Sequence, residues 1–459
     1  MKRNLSILLA MSIGFFTSCT NESSFDNIES ENNIVSLSVD EIKVMDIEVN
    51  GSSISEEIAL QKAFSLFNGV MSKSNQLDKL ECRTYWIKRF IKHGITKAVS
   101  EKSDSIPLYL ITQNNGHSAL ISGDKRIPEI LAFSDKQLFM EKTGTALDIF
   151  IERLPVFINR AIDDFECKYD SILYSIQKRR GNISLRSSAV ELPITRLEED
   201  VTPWTTVYSY APLLNVEWGQ GYPYNQALDK ILCSGSLVFP PVGCVAVSIA
   251  QIISFHKYPA VLDGNNLNWI EMTKTSSINS LPITYQNQIA NLMKSVALGV
   301  DMQFGCNGSS SYIANAKNFL SKIGYNSDNI AKYNKGNVIA SIQNSRPFYI
   351  EGSSSDGRHA WVVDGVKKQD RYITQYTYEY IGSNSKPSNP IDPTEWVLKD
   401  ETITHQEEEY VHCNYGYEGL YDGYYLHGVF NLQGDSYFGK IYGPSFNSDL
   451  LLLTNIKRK

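Results

Sequence analysis

An apolar helix that opens with a cysteine constrains the fold of this chain more than any other feature of its sequence. Residues 240–259 have the sequence PPVGCVAVSIAQIISFHKYP. Apolar residues recur there at helical spacing, which predicts a buried helix that begins near Cys244 and ends before Pro259. We therefore expect this helix to lie in the core of a globular domain.

Cys244 lies in the predicted first turn of this helix. Unpaired backbone N–H groups and the helix dipole favour an anion there. A thiolate is such an anion, and this placement can lower a cysteine pKa from ~8.5 by several units, which makes a nucleophile. Gly243 has no side chain, so a substrate backbone could approach closely. A buried structural cysteine explains the stretch equally well and is the commoner role of a lone cysteine.

Length and composition predict a two-domain globular protein with tails. The chain has 459 residues, which is about three times the usual domain length of ~150 residues. Hydrophobic residues make up 42% and charged residues 20%, which excludes collagen, a coiled coil and wholesale disorder. The net charge is −7 and no basic run is longer than the three residues of Lys178-Arg179-Arg180, so we expect no nucleic-acid partner.

The first residues have the features of an export signal. Lys2 and Arg3 precede an apolar stretch from Leu5 to Phe16, which is too short to span a bilayer. Small residues then precede Cys19, as in a bacterial lipobox, where the cysteine carries the lipid. We predict a lipoprotein signal over 1–19, a tether over 20–50 and lipid anchoring at the cell envelope, at the outer membrane of a diderm bacterium. An ordinary signal peptide with a chance cysteine is the alternative.

The seven cysteines predict neither a disulfide scaffold nor a zinc site. Six remain once the lipidated one is removed, too few for a scaffold in a chain of this length. The sequence contains no C-x-x-C pair, so we expect no structural zinc. The spacings leave the pairing open.

Patterning along the chain divides it into two units and a linker. Residues 51–175 alternate helical and extended patterns, which predicts a compact α+β unit, and Asn114-Asn115-Gly116 predicts the turn of a hairpin within it. Residues 176–203 show no amphipathic period, and we predict an exposed linker open to proteolysis, with a long ordered loop as the alternative. Residues 204–459 place helical patterns early and strand patterns late, an α+β arrangement. Within them, 367–410 is predicted to be an inserted hairpin or flap.

His359 is the histidine best placed to serve a thiolate. A loop of Gly, Ser and Asp at 352–357 leads to it, and an alternating strand pattern follows. That gives a rigid mount with an open approach. His256 shares the helix of Cys244 but lies twelve residues further along, beyond reach of the thiol. A polar strand-end residue is the alternative for His359.

Two amides complete a candidate constellation. Asn414 could hold a ring N–H of His359, and the amide of Gln220 with the Cys244 N–H would make an oxyanion hole. A turn-forming asparagine and a surface glutamine are the alternatives.

These residues lie in motifs that resemble the streptopain family of papain-like cysteine peptidases, which are secreted as zymogens. The resemblance covers most of 51–455, with its motifs in the same order. The matching segments are 220–225 (QGYPYN), 243–246 (GCVA), 250–252 (AQI), 256–259 (HKYP), 299–302 (GVDM), 308–311 (GSSS), 324–326 (GYN), 359–365 (HAWVVDG) and 412–416 (HCNYG), with 121–126 (ISGDKR) and 128–131 (PEIL) matching the propeptide.

The resemblance implies a fold, an activity and roles for residues. The fold is α+β: a papain-like cysteine peptidase domain, with a helical part and an antiparallel sheet, preceded by a small α+β prodomain. Cys244 would be the nucleophile, His359 the general base and acid, and Gln220 the oxyanion donor. The prodomain would block the site until it is cleaved. No metal or organic cofactor is implied, and substrates would carry a bulky apolar side chain two positions before the cut.

The sequence departs from the family pattern in three places. Tyr415 and Tyr417 stand where the family has tryptophans, Arg358 stands where streptopain has a glycine lining the cleft, and the segment 367–410 is much longer. We predict that four residues contact substrate: Arg358, Ser310, Tyr415 and Tyr417.

We therefore predict an exported, lipid-anchored cysteine endopeptidase zymogen that acts on proteins or peptides. Its own prodomain would be its inhibitor, and cleavage between about 175 and 205 would release it from the membrane. One alternative is an inactive surface lipoprotein that binds or inhibits a partner on the same fold. Another keeps the same machinery but transfers the acyl group to an amine.

Overall fold

One antiparallel sheet runs through the protein, with twelve strands among the described residues. In this computed structural model those residues are 39–68, 80–89, 105–180, 195–381, 393–432 and 450–459. The predicted signal, Cys19 and residues 20–38 of the predicted tether lie outside them. No helix in the described part of the chain is long and apolar enough to cross a membrane.

The N-terminal part, residues 39–180, packs helices on an antiparallel meander. Residues 114–116 form the turn of the predicted hairpin, and Gly116 has the positive φ of 96° that such a turn requires. The helix that follows the meander is amphipathic and runs to Arg180, past the predicted domain end at 175. The elements are α1 (Val39–Asn50), α2 (Glu56–Asn68), β1 (Leu80–Lys88), β2 (Ser105–Gln113), β3 (Ser118–Ser122), β4 (Ile130–Ser134) and α3 (Leu147–Arg180).

The C-terminal part, residues 204–459, has its helices mostly early and its long strands late, as predicted. Its helices are α4 (Cys244–His256), α5 (Trp269–Met272), α6 (Ile283–Gly299), α7 (Ile313–Lys322), α8 (Lys335–Gln343) and α9 (His427–Phe430). The strands from 195 onward are β5 (Thr195–Val201), β6 (Thr205–Tyr210), β7 (Ile231–Cys233), β8 (Ser236–Val238), β9 (Val261–Leu262), β10 (Asn265–Asn266), β11 (Tyr325–Asn326), β12 (Ala331–Lys332), β13 (Phe348–Ser354), β14 (Gly357–Tyr380), β15 (Trp396–Asn414), β16 (Gly423–Leu426), β17 (Leu451–Leu453) and β18 (Lys457–Arg458).

Helix α4 is the centre of the helical half. It packs between α6 and α7 on one side and strands β13 and β14 on the other, and its residues from Cys244 to Ser254 are buried. The absence of charge on any face of this helix is explained by that position, because each face meets another apolar element.

The sheet is continuous between the two parts of the chain. Strand β4 pairs antiparallel with β16, where Phe133 lies opposite Tyr424 and Ala132 lies opposite Tyr425. One apolar core runs across this junction from the N-terminal helices to β14 and β15. The α+β fold with a helical half and an antiparallel sheet is thereby confirmed, and the N-terminal part extends the sheet by four strands.

The long segment 367–410 forms the outer part of the β14–β15 hairpin. Its edge is covered by the predicted linker, because β5 pairs with β14 from Ile373 to Glu379 and β6 pairs with it closer to the core. Residues 195–201 of the predicted exposed linker form a paired strand, in which Asp200 and Val201 are exposed. An extended hairpin leaves a row of unpaired N–H and C=O groups at its edge, and the chain's own linker satisfies them.

A disulfide between Cys233 and Cys306 fastens β7 to the loop that contains Ser310. The spacings of the cysteines do not predict this pairing. Cys82, Cys244 and Cys413 are not in a disulfide.

A buried ionic cluster joins the N-terminal part to the hairpin. The Glu129 carboxylate pairs with Lys62 at 2.6 Å and with Arg371 of β14 at 2.5 Å. The backbone N–H of Glu129 donates to Glu408 of β15 at 3.0 Å. Burial and the nearby Glu129 charge raise the pKa of Glu408 to about 7, so the two carboxylates tolerate each other because Glu408 readily takes a proton.

We predict that Arg371→Leu strongly destabilises the uncleaved chain. Glu129 would keep only Lys62 as a cationic partner while still buried, and breaking a buried ion pair on one side costs about 3 to 5 kcal/mol. Urea unfolding at pH 7, measured in a Cys244→Ala background to prevent proteolysis, gives the change in the free energy of unfolding.

Lys368→Leu is the matched control, because it also removes a cation from this hairpin. The partner of Lys368 is Glu407, which is about half exposed. Such pairs contribute about 0 to 1 kcal/mol. Equal losses for the two variants would show that the buried cluster does not hold the junction together.

Candidate active site

Helix α4 begins at the cysteine because the backbone before it admits only glycine. Gly243 has φ 98°, a conformation that residues with side chains rarely adopt. A Cβ at this position would lie 2.6 Å from the Met302 sulfur and 3.2 Å from the Ser309 Cβ. The Ser309 hydroxyl in turn donates to the Pro241 carbonyl at 2.7 Å. The loop of residues 303–310 therefore packs directly on the turn that presents Cys244.

The Cys244 thiol is buried between the helix start and strand β14. It accepts hydrogen bonds from the backbone N–H groups of Ala360 and Val245. Burial raises the pKa of the Cys244 thiol, and the nearby Glu351 carboxylate raises it further. These effects outweigh the backbone N–H groups, which lower the pKa. The expectation that the helix start lowers this pKa is wrong for the uncleaved chain, because exclusion of water outweighs the helix terminus.

His359 is adjacent to Ala360 on β14 and so reaches the same end of the helix. Its neighbour across the sheet is Gly352 of β13, and its Nε2 atom is buried without a hydrogen-bond partner. Burial lowers the pKa of His359, while Asp148 and Asp356 act in the opposite direction. Thiol and imidazole are both held in their neutral forms.

Gln220 and Tyr417 meet beside the thiol. The carbonyl of Gln220 accepts from the Val242 N–H at 2.9 Å, which ties the Gln220 loop to the approach of α4. The Gln220 side chain hydrogen-bonds to the Tyr417 hydroxyl, which lies close enough to Cys244 for a thiolate there to raise the tyrosine pKa. The structure thus brings Cys244, Gln220 and Tyr417 to one place, whereas His359 alternates with Ala360 along β14 and projects to the face covered by α3.

Asn414 does not perform the role predicted for it. Its Nδ2 donates to the Val216 carbonyl at 3.0 Å, and its Oδ1 accepts from Gln251 at 3.0 Å and from the Gly416 N–H at 3.1 Å. No hydrogen bond between Asn414 and His359 is present in this state. The asparagine instead joins strand β15 to helix α4, because its Oδ1 accepts from Gln251 of that helix.

Gln251 is a structural residue of the site that the sequence analysis passed over. It is completely buried on α4, where its Oε1 accepts from the Trp218 N–H at 3.2 Å and its Nε2 donates to Asn414. This chain of amides links the Gln220 loop, the helix and β15. The signal was a single amide in an otherwise apolar helix, which predicts a buried hydrogen-bonding partner.

The residues predicted to contact substrate occupy different environments. Arg358 is half exposed and pairs with the buried Glu351. Ser310 is exposed and forms a backbone bridge with Gln303. Tyr415 is buried, with its ring 5.9 Å from that of Trp361 and 5.5 Å from that of Tyr425. Its prediction as a substrate contact does not fit this position, because an aromatic residue that follows β15 packs into the core.

The N-terminal part covers the turn that precedes His359. Glu152 of α3 accepts from the Ser355 N–H at 2.9 Å and from the Ser355 hydroxyl at 2.5 Å, and it pairs with Lys142 at 2.8 Å. Burial alone would raise the pKa of Glu152, but these hydrogen bonds hold it below its usual range. Ile149 lies against Gly352, where a Cβ would come within 3.3 Å of its side chain.

A helical half packed on an antiparallel sheet, with a buried cysteine opening the central helix and a histidine on the adjoining strand, defines the class of protein. It is a papain-like cysteine peptidase.

Comparisons with known proteins agree with this class. Residues 218–425 match the family model described as "Peptidase C10 family". Streptopain of Streptococcus pyogenes serotype M1 is 23% identical over 358 residues, which cover 66% of this chain and 81% of that protein. The thiol protease/hemagglutinin PrtT of Porphyromonas gingivalis is 22% identical over 311 residues, which cover 60% of this chain and 33% of that protein.

A solved structure of a prointerpain A fragment from Prevotella intermedia also matches. Its TM-score is 0.48 at 18% sequence identity, covering 82% of this chain and 100% of that one. Over residues 218–425 the present chain is thus similar to the Peptidase C10 family, the family of streptopain.

We predict that Gln251→Met destabilises the protein despite its similar volume. The backbone N–H of Trp218 and one lone pair of the Asn414 Oδ1 atom would be left buried without a partner. Each such group costs about 1 to 3 kcal/mol. Urea unfolding in the Cys244→Ala background measures the loss. The control is Gln288→Met, since Gln288 is partly exposed and accepts at an exposed helix start. A loss no larger than in the control would contradict a structural role for the amide chain.

Proposed function

We propose that this peptidase is made as the zymogen of an endopeptidase, lipid-anchored through Cys19 and exported to the cell envelope. The N-terminal part would act as its inhibitor, and cleavage in the linker would activate it. The contact of Glu152 and Lys142 with the turn before His359 is the observation that carries this proposal. A segment of the same chain that restrains this turn is what an intramolecular inhibitor requires.

Peptide hydrolysis would use three side chains, those of Cys244, Gln220 and His359. Cys244, as a thiolate, attacks the peptide carbonyl, while its own N–H and the amide of Gln220 stabilise the oxyanion. His359 takes the thiol proton and gives it to the leaving amine. Water then attacks the thioester, returning the proton to the site and releasing the carboxylic acid.

The neutral state of the uncleaved pair supports this reading. An active pair needs a thiolate beside an imidazolium, whereas burial raises the pKa of Cys244 and lowers the pKa of His359. Both shifts share one cause, exclusion of water, and the N-terminal part contributes to it through Ile149, which packs against Gly352, the cross-strand neighbour of His359. Removal of that part would admit water and substrate together.

The activating cut is expected outside the helix α3 and the strand β5. Residues 147–180 are helical and 195–201 are paired with the hairpin, and a peptidase needs an extended, unpaired segment in its cleft. A cut between these elements would separate the mature enzyme from Cys19, so that activation and release from the membrane would be one event.

The main test uses residues 20–459 and the same chain with Cys244→Ala. Both are incubated under reducing conditions with a thiol-trapping epoxide and with casein, and intact mass is followed. We expect only the unmutated chain to shorten by roughly its N-terminal part, to gain the label at Cys244 and to digest casein, because each step requires the thiolate.

If neither chain shortens, the linker is cut with an added protease and the assay is repeated. A trimmed domain that neither labels nor digests would overturn the peptidase proposal in favour of an inactive binding protein. Products in which an added amine is joined to the substrate would indicate acyl transfer.

A second prediction concerns the restraint itself. Glu152→Ala removes the acceptor of the Ser355 N–H and hydroxyl, and we expect Cys244 in the uncleaved chain to react with iodoacetamide about tenfold faster, because charge-assisted hydrogen bonds contribute about 1.5 to 3 kcal/mol. Glu166→Ala is the control, since Glu166 lies on the same helix and pairs with Arg89 and Arg126. Equal rates for Glu152→Ala and the unmutated chain would count against the restraint.

A further inference from the structure

Strand β13 carries a buried carboxylate close to the thiol. Glu351 is 3% exposed and lies directly opposite Ala360, whose N–H donates to Cys244. Residues opposite each other in an antiparallel pair project to the same face, so Glu351 shares the α4-facing side of the sheet. The sequence analysis gave this acid no role.

Both oxygens of this carboxylate have partners. Oε2 accepts from the Tyr349 hydroxyl at 2.8 Å, and Oε1 pairs with Nη2 of Arg358. Tyr349 lies two residues from Glu351 on the same face, and it is completely buried. Arg358 lies two residues before Ala360, so the guanidinium reaches the carboxylate across one rung of the β13–β14 hairpin.

A carboxylate at this position works against the proposed chemistry. A nearby negative charge disfavours a thiolate, and in a site with little water the effect is poorly screened. The side chain cannot turn out to solvent, because it is held by a buried hydroxyl and lies under the hairpin. The only cation that contacts Glu351 among the described residues is Arg358.

We propose that Glu351 and Arg358 form one positioning pair for Cys244, in which the positive charge of Arg358 offsets the negative charge of the buried carboxylate beside the thiol. The inference rests on the proposed role of Cys244 as nucleophile. It also explains why an arginine precedes His359, where streptopain has a glycine. In return, the carboxylate fixes the arginine at the base of the turn that presents His359.

Other titratable groups face this thiol, and the experiment must separate their effects. Strand β13 contributes Tyr349 and Glu351, and strand β14 contributes Arg358 and His359. The loop of residues 415–421 contributes Tyr417. Helix α3 contributes Asp148, which acts through His359. A change confined to the Glu351–Arg358 pair leaves all the others in place.

The test compares Arg358→Gln, Glu351→Gln and the double variant in the cleaved enzyme. The rate of Cys244 alkylation by iodoacetamide is measured from pH 4 to 9, together with kcat and KM for a peptide substrate. We expect Arg358→Gln to move the acid limb of the profile upward by about one pH unit, a tenfold slower reaction on that limb. Glu351→Gln alone should leave the limb in place or move it downward, and the double variant should behave like Glu351→Gln.

Two further variants keep the outcome interpretable. Arg358→Lys retains the cation and should retain the profile, whereas Lys335→Gln removes a cation that pairs with Glu409 away from the site and should change nothing. A double variant as slow as Arg358→Gln, or an unshifted profile for Arg358→Gln, would overturn the pair. An unmutated enzyme that does not react at all would instead overturn the proposed function.

Discussion

The pairing of strand β14 with its neighbours is the interaction on which the rest of the structure depends. At one end β14 places the N–H of Ala360 beside the thiol that opens helix α4, with Arg358 and His359 immediately before it in the strand. At the other end it holds the linker strand β5 and, through Arg371, the ionic cluster of the N-terminal part. A single continuous ladder therefore joins the candidate active site to the segment whose cleavage would activate it. Because strands in a sheet resist independent displacement, the two ends share one rigid support.

The state of the site follows from exclusion of water more than from any one partner. The helix start and its N–H groups favour a thiolate at Cys244, and Asp148 and Asp356 favour an imidazolium at His359. Burial opposes both, and it is the largest influence on each. An arrangement of residues suited to catalysis is thus present together with an environment that keeps it neutral. Under the proposed zymogen function, this combination would allow one sequence to specify both an inhibited and an active form.

The sequence predicted those parts of the fold and site that depend on local pattern. The buried helix after Gly243, the Asn-Gly hairpin at 114–116 and the strand that begins at His359 each follow from spacing, turn chemistry or capping. The failures concern long-range partners. Asn414 was expected to bond His359, but its amide is taken by Gln251 and Val216, which lie far away in sequence. The linker was expected to be exposed, yet its residues 195–201 pair as a strand with the free edge of a distant hairpin. Glu351 and Gln251 each stand alone in an apolar run, which signals a buried partner without identifying it.

Departures from the streptopain pattern become intelligible when they are considered as contacts. The tyrosine at position 417 brings a hydroxyl to the Gln220 amide. The tryptophan of the family pattern could not accept a hydrogen bond there, because its indole N–H can only donate. Arg358 meets a carboxylate that is buried beside the thiol. The guanidinium that Arg358 adds has a partner within the site, whereas the hydroxyl that Tyr415 adds is buried without a hydrogen-bond partner. Removal of the N-terminal part would return water to His359 and weaken the main cause of the neutral pair. The Glu351–Arg358 contact, which lies within the C-terminal part, would remain and would then set the local charge around Cys244.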